Sequence, residues 1–196
     1  MASPQQVQPG DFAVYAGEFT ELQNNLVAGT AMDDRAGCAI LIEMLKRLGE
    51  TKNEIVAVFT VQEEVGLRGA QAAAFDVAPD MGIALDVTLC GDTPKGPKIA
   101  VKAGEGIAVK ILDSSLICHP GVVKAMEDAA ERAGAKYQRE VLTAGGTDAG
   151  AIQRSRGGVP SGVLSIPCRY VHSPNETVSL DDMENGVKLL VELLKA

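Results

Sequence analysis

Helical and strand patterns alternate from residue 35 onward, and that alternation predicts an α/β fold, a mostly parallel or mixed sheet flanked by helices. Two further observations support it. The runs EIVAVFTV (54–61) and VPSGVLSI (159–166) are continuous, apolar and rich in β-branched residues, as strands buried on both faces are. The last segment carries Met183, Val187, Leu190, Val191 and Leu194 along one helical face.

Residues 1–30 are turn-rich and interrupted by polar residues (QPGDF, YAGEF, LQNN), the pattern of a small β segment leading in. Over 36–49, Leu41, Met44, Leu45 and Leu48 stand at i, i+3, i+4 and i+7, which predicts a helix. After the strand at 54–61 come a short helix at 68–75 and a strand at 81–87. Strand-like runs near 98–102 and 106–112 flank a turn at Gly104–Gly106. Pro120 opens a helix that runs to about Arg132, and Gly134 stops it. A strand near 137–143, a short helix near 148–155 and the strand at 159–166 follow. Ser179 starts the last helix, with Asp182 three places on in an approximate capping box.

A length of 196 residues predicts one domain, or at most two small ones. The 46% hydrophobic and 22% charged content is that of a globular chain. A net charge of −8 argues against a nucleic-acid surface and against attraction to an anionic membrane. No apolar run approaches the ~18 residues of a membrane span. The opening MASPQQVQPGDF has neither the basic start nor the apolar stretch of a secretory signal. Cys38, Cys90, Cys118 and Cys168 are widely spaced with no CxxC pair, so a reduced, cytoplasmic setting is expected and a zinc ribbon is not.

Ligands of open α/β sheets bind beyond the carboxyl ends of the strands. Glu63 and Glu64 follow the strand at 54–61, Asp86 ends the one at 81–87, and His172 follows the one at 159–166. Asp33 and Asp34 stand at the entrance to the first helix. Taken singly, each has a bland reading: splayed glutamates in a solvated loop, aspartates capping a helix, a histidine satisfied by backbone. Their convergence on one rim favours chemistry. Carboxylates with one imidazole suit Zn²⁺, Co²⁺ or Mn²⁺, with one glutamate left over as a base. His119, directly before Pro120, reads as a cap or surface residue.

The strings AMDDRAGCA (31–39), TVQEEVGLRGA (60–70), ALDVT (84–88), GGTDAGAI (145–152) and GVPSGVLSIPCRYVHSPNE (158–176) carry a family resemblance. In order and spacing the chain resembles, from about residue 8 on, the dinuclear-metal aminopeptidases of the glutamyl aminopeptidase and tetrahedral-aminopeptidase group. The resemblance implies that Asp33 bridges two cations and Glu63 is the general base. It implies that Glu64 and His172 join Asp33 on one cation, and that Asp86 holds the other. Asp34, Thr147, Asp148, Arg169 and Tyr170 lie in matching strings, which implies substrate-facing or supporting roles.

One departure matters. The family carries upstream strands with a His-x-Asp motif whose histidine completes the second cation site, and a smaller β domain is inserted after them. No His-x-Asp occurs here, and His119 is followed by Pro120 and Gly121. The resemblance therefore implies a C-terminal part of such an enzyme: a remnant of the inserted domain over 1–30 and an incomplete catalytic domain over 31–196, without the first strands. One cation, Zn²⁺ or Co²⁺, keeps three protein ligands and an open position, while the other keeps only Asp33 and Asp86. The expectation is impaired removal of N-terminal residues from peptides, in a chain that could form a homo-oligomer. A catalytically dead binding or assembly module of the same fold is the alternative, and the retained Glu63 counts against it. A glycosidase pair among Glu63, Glu64 and Asp86 fits poorly with 4% aromatics and no Trp.

Overall fold

In a computed structural model, residues 6–195 are described. Strands β1 (Thr20–Glu21) and β2 (Leu26–Gly29) form a hairpin whose turn passes through Asn24 and Asn25, both left-handed at φ 59° and 56°. Asparagine tolerates that region because its side chain can hydrogen-bond locally. Helix α1 (Met32–Arg47) follows, then α2 (Arg68–Val77), β3 (Gly82–Leu89) and β4 (Ile107–Leu112). Helix α3 (Pro120–Ala133), β5 (Tyr137–Val141), α4 (Asp148–Ile152), β6 (Ser161–Arg169), β7 (Glu176–Ser179) and α5 (Leu180–Leu194) complete the order.

The seven strands make one mixed sheet. The long strand β6 is its spine: it bonds β3 in parallel along eight residue pairs, from Gly82↔Ser161 to Leu89↔Cys168. It also bonds antiparallel to β4 at Ser165 and Leu164, and to β7 at Cys168 and Arg169. Strand β5 extends the sheet from β4 in parallel, and β2 joins the hairpin to β7.

Helices cover both faces, because successive strand residues point to opposite sides. Gly162 leaves room for Val122 and Met126 of α3, while Gly82, opposite Ser161, abuts Ile152 of α4. Helix α5 packs against α1 and α3, and α2 packs against α4. The core joins Ile40 and Met44, Ile107 and Val109, Val163 and Ile166, and Leu189 and Leu190.

Capping follows the local chemistry. His119 is the N-cap of α3, its Nδ1 accepting from Gly121 N at 3.2 Å, and Gly134 closes that helix at φ 61°. Ser179 caps α5 by accepting from Asp182 N at 3.3 Å. The reciprocal half of the expected box is absent, because the Asp182 carboxylate accepts instead from Gly104 N and Gly106 N, both at 2.7 Å. It ties the loop before β4 to the start of α5.

Three expectations need correction. Residues 54–61 form no strand: among the described residues they pair with none, and Val56, Val58, Phe59 and Val61 are exposed. The run is apolar enough for a central strand, but among the described residues no strand pairs with it. Residues 98–102 are likewise loop, anchored by Val101, which is buried and whose carbonyl accepts from Gly91 N at 2.8 Å. One inward residue produced that strand-like pattern. Helix α1 ends at Arg47, short of the expected 49, and buries Ala36, Ile40 and Met44, leaving Leu45 41% exposed. A strand at 176–179 was not expected at all.

Candidate metal centre

Four segments bring the acidic residues together. The first turn of α1 is irregular at Asp33 and Asp34, which are joined by a cis peptide bond and carry non-helical φ/ψ. The regular helix starts after them. Asp34 Oδ1 accepts from Gly37 N at 3.2 Å, so the capping reading of Asp34 holds in the geometry beside any chemical role.

Glu63 and Glu64 lie in a tight turn between the extended run and α2. Gln62 is left-handed at φ 59°, and the Glu63 carbonyl accepts from Gly66 N at 3.0 Å and Leu67 N at 2.9 Å. Thr60 Oγ1 donates to Asp148 Oδ2 at 2.6 Å, which fastens the end of the run to α4. Asp86 sits within β3 and is buried, and His172 rides the loop between β6 and β7 at φ 61°.

Two groups of ligand atoms result, each with all atoms within 4.8 Å of one another: Asp33 with Glu64 and His172, and Asp33 with Asp34 and Asp86. In the first, His172 Nε2 lies 3.2 Å from both Asp33 Oδ2 and Glu64 Oε2. The second contains no imidazole. Asp33 belongs to both, and Glu63 to neither.

The electrostatics show what this arrangement lacks. Burial raises the Asp33 carboxyl to about 6, with repulsion from Glu64 and Glu176 adding to it. Burial raises Asp34 to about 8, with Asp33 and Asp148 contributing, although the Gly37 N–H pulls the other way. Asp86 is pushed to about 9 by burial and then by Asp34 and Asp33. Glu63 rises to about 7 through burial and its neighbours Asp148 and Glu64. Among the described residues, His172 is the one basic side chain ion-paired with Asp33 or Glu64. Carboxylates held this close without a cation are a donor set that fits a divalent ion.

The remaining candidates occupy different places. Thr147 is buried, and its Oγ1 has no hydrogen-bond partner among the described residues. Asp148 is tied to Thr60, and burial raises its carboxyl above the ordinary value. The Arg169 guanidinium is held by Asp92 at 2.6 Å in a bidentate pair, while Tyr170 is exposed.

Sequence reading missed Glu176. It is buried at the start of β7, where Oε2 accepts from Asp33 N at 3.1 Å and Oε1 accepts from His172 N at 2.7 Å. One carboxylate thus holds the backbones of Asp33 and His172, which are 139 positions apart in the chain. Its only signal was an acid four residues after His172 at the head of a short β-branched run.

Known proteins resemble this chain over nearly its whole length. A protein of Acetivibrio thermocellus, provisionally named an aminopeptidase, is 53% identical over 188 residues, which are 96% of this chain and 57% of that protein. The lysyl aminopeptidase of Pyrococcus furiosus is 36% identical over 95% of this chain and 53% of its own length. An aminopeptidase structure from Desulfurococcus kamchatkensis superposes with a TM-score of 0.93 at 38% identity, covering 97% of this chain and 55% of that one. The chain therefore spans little more than half the length of these relatives. The M42 glutamyl aminopeptidase profile matches residues 2–189, nearly the whole chain, and the chain belongs to that family.

Proposed function

We propose that this chain carries the carboxylate-rich part of an aminopeptidase centre, hydrolysing N-terminal residues from peptides at impaired rate. The observation that carries the reading is the division of labour at 60–64 and 172. Asp33, Glu64 and His172 converge within 4.8 Å, while the adjacent Glu63 stays outside that group. Ligation and proton transfer need such separate residues.

In this reading Asp33, Glu64 and His172 hold one divalent cation, Zn²⁺ or Co²⁺, and Asp33 and Asp86 face a second, weaker position beside Asp34. A bound cation supplies a Lewis acid that polarises a peptide carbonyl and acidifies water. Glu63, with a carboxyl titrating near neutrality, takes the proton from the attacking water and returns it to the leaving amine. Glu176 keeps the Asp33 and His172 backbones in place. Asp148, whose charge acts on Glu63, and the neighbouring Thr147 would face the substrate in this reading.

The imidazole-free group of Asp33, Asp34 and Asp86 supports the impairment, since no histidine among the described residues joins it. Four unbridged cysteines support a reducing, cytoplasmic setting.

The test has two parts, metal content and hydrolysis of a panel of aminoacyl p-nitroanilides with added Zn²⁺ or Co²⁺. The expected result is one tightly held ion and slow hydrolysis that vanishes in Glu63→Ala with the ion still bound. Two tightly held ions would overturn the ligand assignment. Activity that survives Glu63→Ala would overturn the base.

A further inference from the structure

His172 brings the one imidazole to the acidic centre, and it stands in a loop with an unusual backbone. Strand β6 ends at Arg169 and β7 begins at Glu176, and the ladder pair Arg169↔Thr177 closes the loop between them. Within it Tyr170 and His172 are both left-handed, at φ 60° and 61°, on either side of Val171. Residues other than glycine keep that conformation only where their surroundings fix it. Two contacts lie inside the loop: Glu176 Oε1 accepts from His172 N at 2.7 Å, and Thr30 Oγ1 donates to the Pro174 carbonyl at 3.3 Å. A third lies at its base, where the Arg169 guanidinium meets Asp92.

That contact is a fork made on a fixed point. Arg169 Nε donates to the two Asp92 oxygens at 3.1 and 3.2 Å and Nη2 donates at 2.6 Å, with the side chains only 26% and 15% exposed. Asp92 also accepts from Ala103 N at 3.3 Å. The loop that carries it closes at its neck, where Gly91 N donates to the carbonyl of the buried Val101. Gly91 runs so close to the Ile99 carbonyl that no side chain would fit. The far end of the loop is held by Asp182 of α5 through Gly104 N and Gly106 N. Asp92 is thus tied to the core from two sides, and Arg169 ties the His172 loop to Asp92.

The same pair disposes of a charge. Arg169 stands three residues from His172, and on the face of the sheet that carries Asp86, because Asp86 pairs with Ser165 and side chains alternate with period two. The carboxylates of this rim lack a cation, yet among the described residues Arg169 pairs with Asp92 and with none of them. A free guanidinium there would compete with a divalent ion for the same oxygens.

We infer that Asp92 is a positioning residue of the centre: by clamping Arg169 it fixes the loop that presents His172 and keeps the guanidinium off the carboxylates. This role rests on the reading of Asp33, Glu64 and His172 as a cation site. None of its contacts involves the unpaired run at 54–61.

The chain has two histidines, so imidazole signals in ¹H–¹³C NMR spectra report His172 directly, with His119 at the cap of α3 as an internal control. In the metal-free chain, Asp92→Ala should move the His172 signals toward those of free histidine and leave the His119 signals in place. Zn²⁺ affinity, measured by chelator competition, should fall about 10-fold, and the visible absorption of the Co²⁺-loaded chain should change. Adding Arg169→Ala to Asp92→Ala should weaken binding no further, because the two residues act as one unit.

Three results would overturn the proposal: His172 signals and Zn²⁺ affinity both unchanged in Asp92→Ala, His119 displaced as much as His172, or losses that add in the double variant. The second would mean a general loosening of the fold, and the third that Asp92 does not act through Arg169. If Asp92→Ala fails to fold, Arg169→Lys keeps the charge without the fork and should displace the His172 signals in the same direction. A wild type that holds no Zn²⁺ would sink the cation reading, and the metal-free His172 signals would still decide whether Asp92 fixes the loop.

Discussion

Two residues apart on β3, Asp86 and Thr88 enter two clusters of buried charge that are balanced in opposite ways. Thr88 Oγ1 donates to Glu140 Oε1 at 2.7 Å, and Lys110 Nζ reaches the same oxygen at 2.6 Å across the β4–β5 ladder. Lys110 also lies 3.5 Å from Asp113 Oδ2, while Asp113 Oδ1 accepts from Ser115 N, Ser115 Oγ and Leu116 N. All three charged residues of this cluster are buried. Its cation is built in.

Asp86 belongs to the cluster whose cation is not. Asp33, Asp34, Glu63 and Asp86 all have carboxyls raised by burial and by one another, with no lysine or arginine ion-paired to them among the described residues. The fold is thus able to satisfy buried carboxylates internally, and does so around Lys110. At the rim it leaves them unbalanced, which lowers stability and, in the proposed reading, favours a bound cation.

The comparison can be broken most severely at Lys110. Lys110→Met strands Glu140 and Asp113 as buried carboxylates and should cost about 3–5 kcal/mol, read from urea unfolding. The matching change in the other cluster should have the opposite sign. At pH 8 the Asp86 carboxyl, raised to about 9, must hold a proton in the folded chain that the unfolded chain has lost; Asp86→Asn removes that cost and should stabilise the metal-free chain by about 2 kcal/mol, while weakening metal binding.

A pH series sharpens the same contrast. Carboxyls at about 6, 7, 8 and 9 hold protons in the folded chain that the unfolded chain has already lost. The folded state therefore binds more protons, and metal-free stability should fall continuously as pH rises from about 4 to 9. Saturating Zn²⁺ should flatten that slope in urea titrations at pH 5, 7 and 9, because the ion takes the place of the protons. A slope of the other sign would mean the cluster is compensated as the Lys110 cluster is.

Glu176→Gln tests the support of the centre rather than its ligands. Gln keeps one acceptor oxygen and loses the other, so either the Asp33 or the His172 N–H is left unpaired. Zn²⁺ affinity should drop about 10-fold or more, with stability falling by about 1–2 kcal/mol. The smallest effect belongs to Ser179→Ala, which removes the α5 cap, a hydroxyl that accepts from Asp182 N rather than from either cluster. It should cost about 1 kcal/mol in thermal or urea unfolding and leave metal affinity unchanged.

Much of this was legible beforehand, and the failures share a cause. Helices α3 and α5 were readable because Pro120, Gly134 and Ser179 act on their own neighbouring backbone. Strand β6 was readable because the eight residues from Ser161 to Cys168 are all apolar or small and have few other fates. The run at 54–61 looks just as apolar and is exposed, since burial depends on what lies alongside. The five residues assigned from the motif strings as base and ligands, Asp33, Glu63, Glu64, Asp86 and His172, do meet at one rim. Glu176 escaped notice because its work is done on backbone N–H groups, which leave no mark on residue type.

The sequence by itself determined the α/β alternation, the helix caps and the set of acidic residues delivered to strand ends. Each of these depends on periodicity or on contacts a few residues long. Only the tertiary structure decided that Asp33 lies within reach of both ligand groups, that Glu63 stands apart from them, and that Arg169 is held by Asp92. It also decided that Lys110 closes one carboxylate cluster while none closes the other. These are distances between segments remote in sequence, and a carboxylate's charge and affinity are set by what the fold brings beside it.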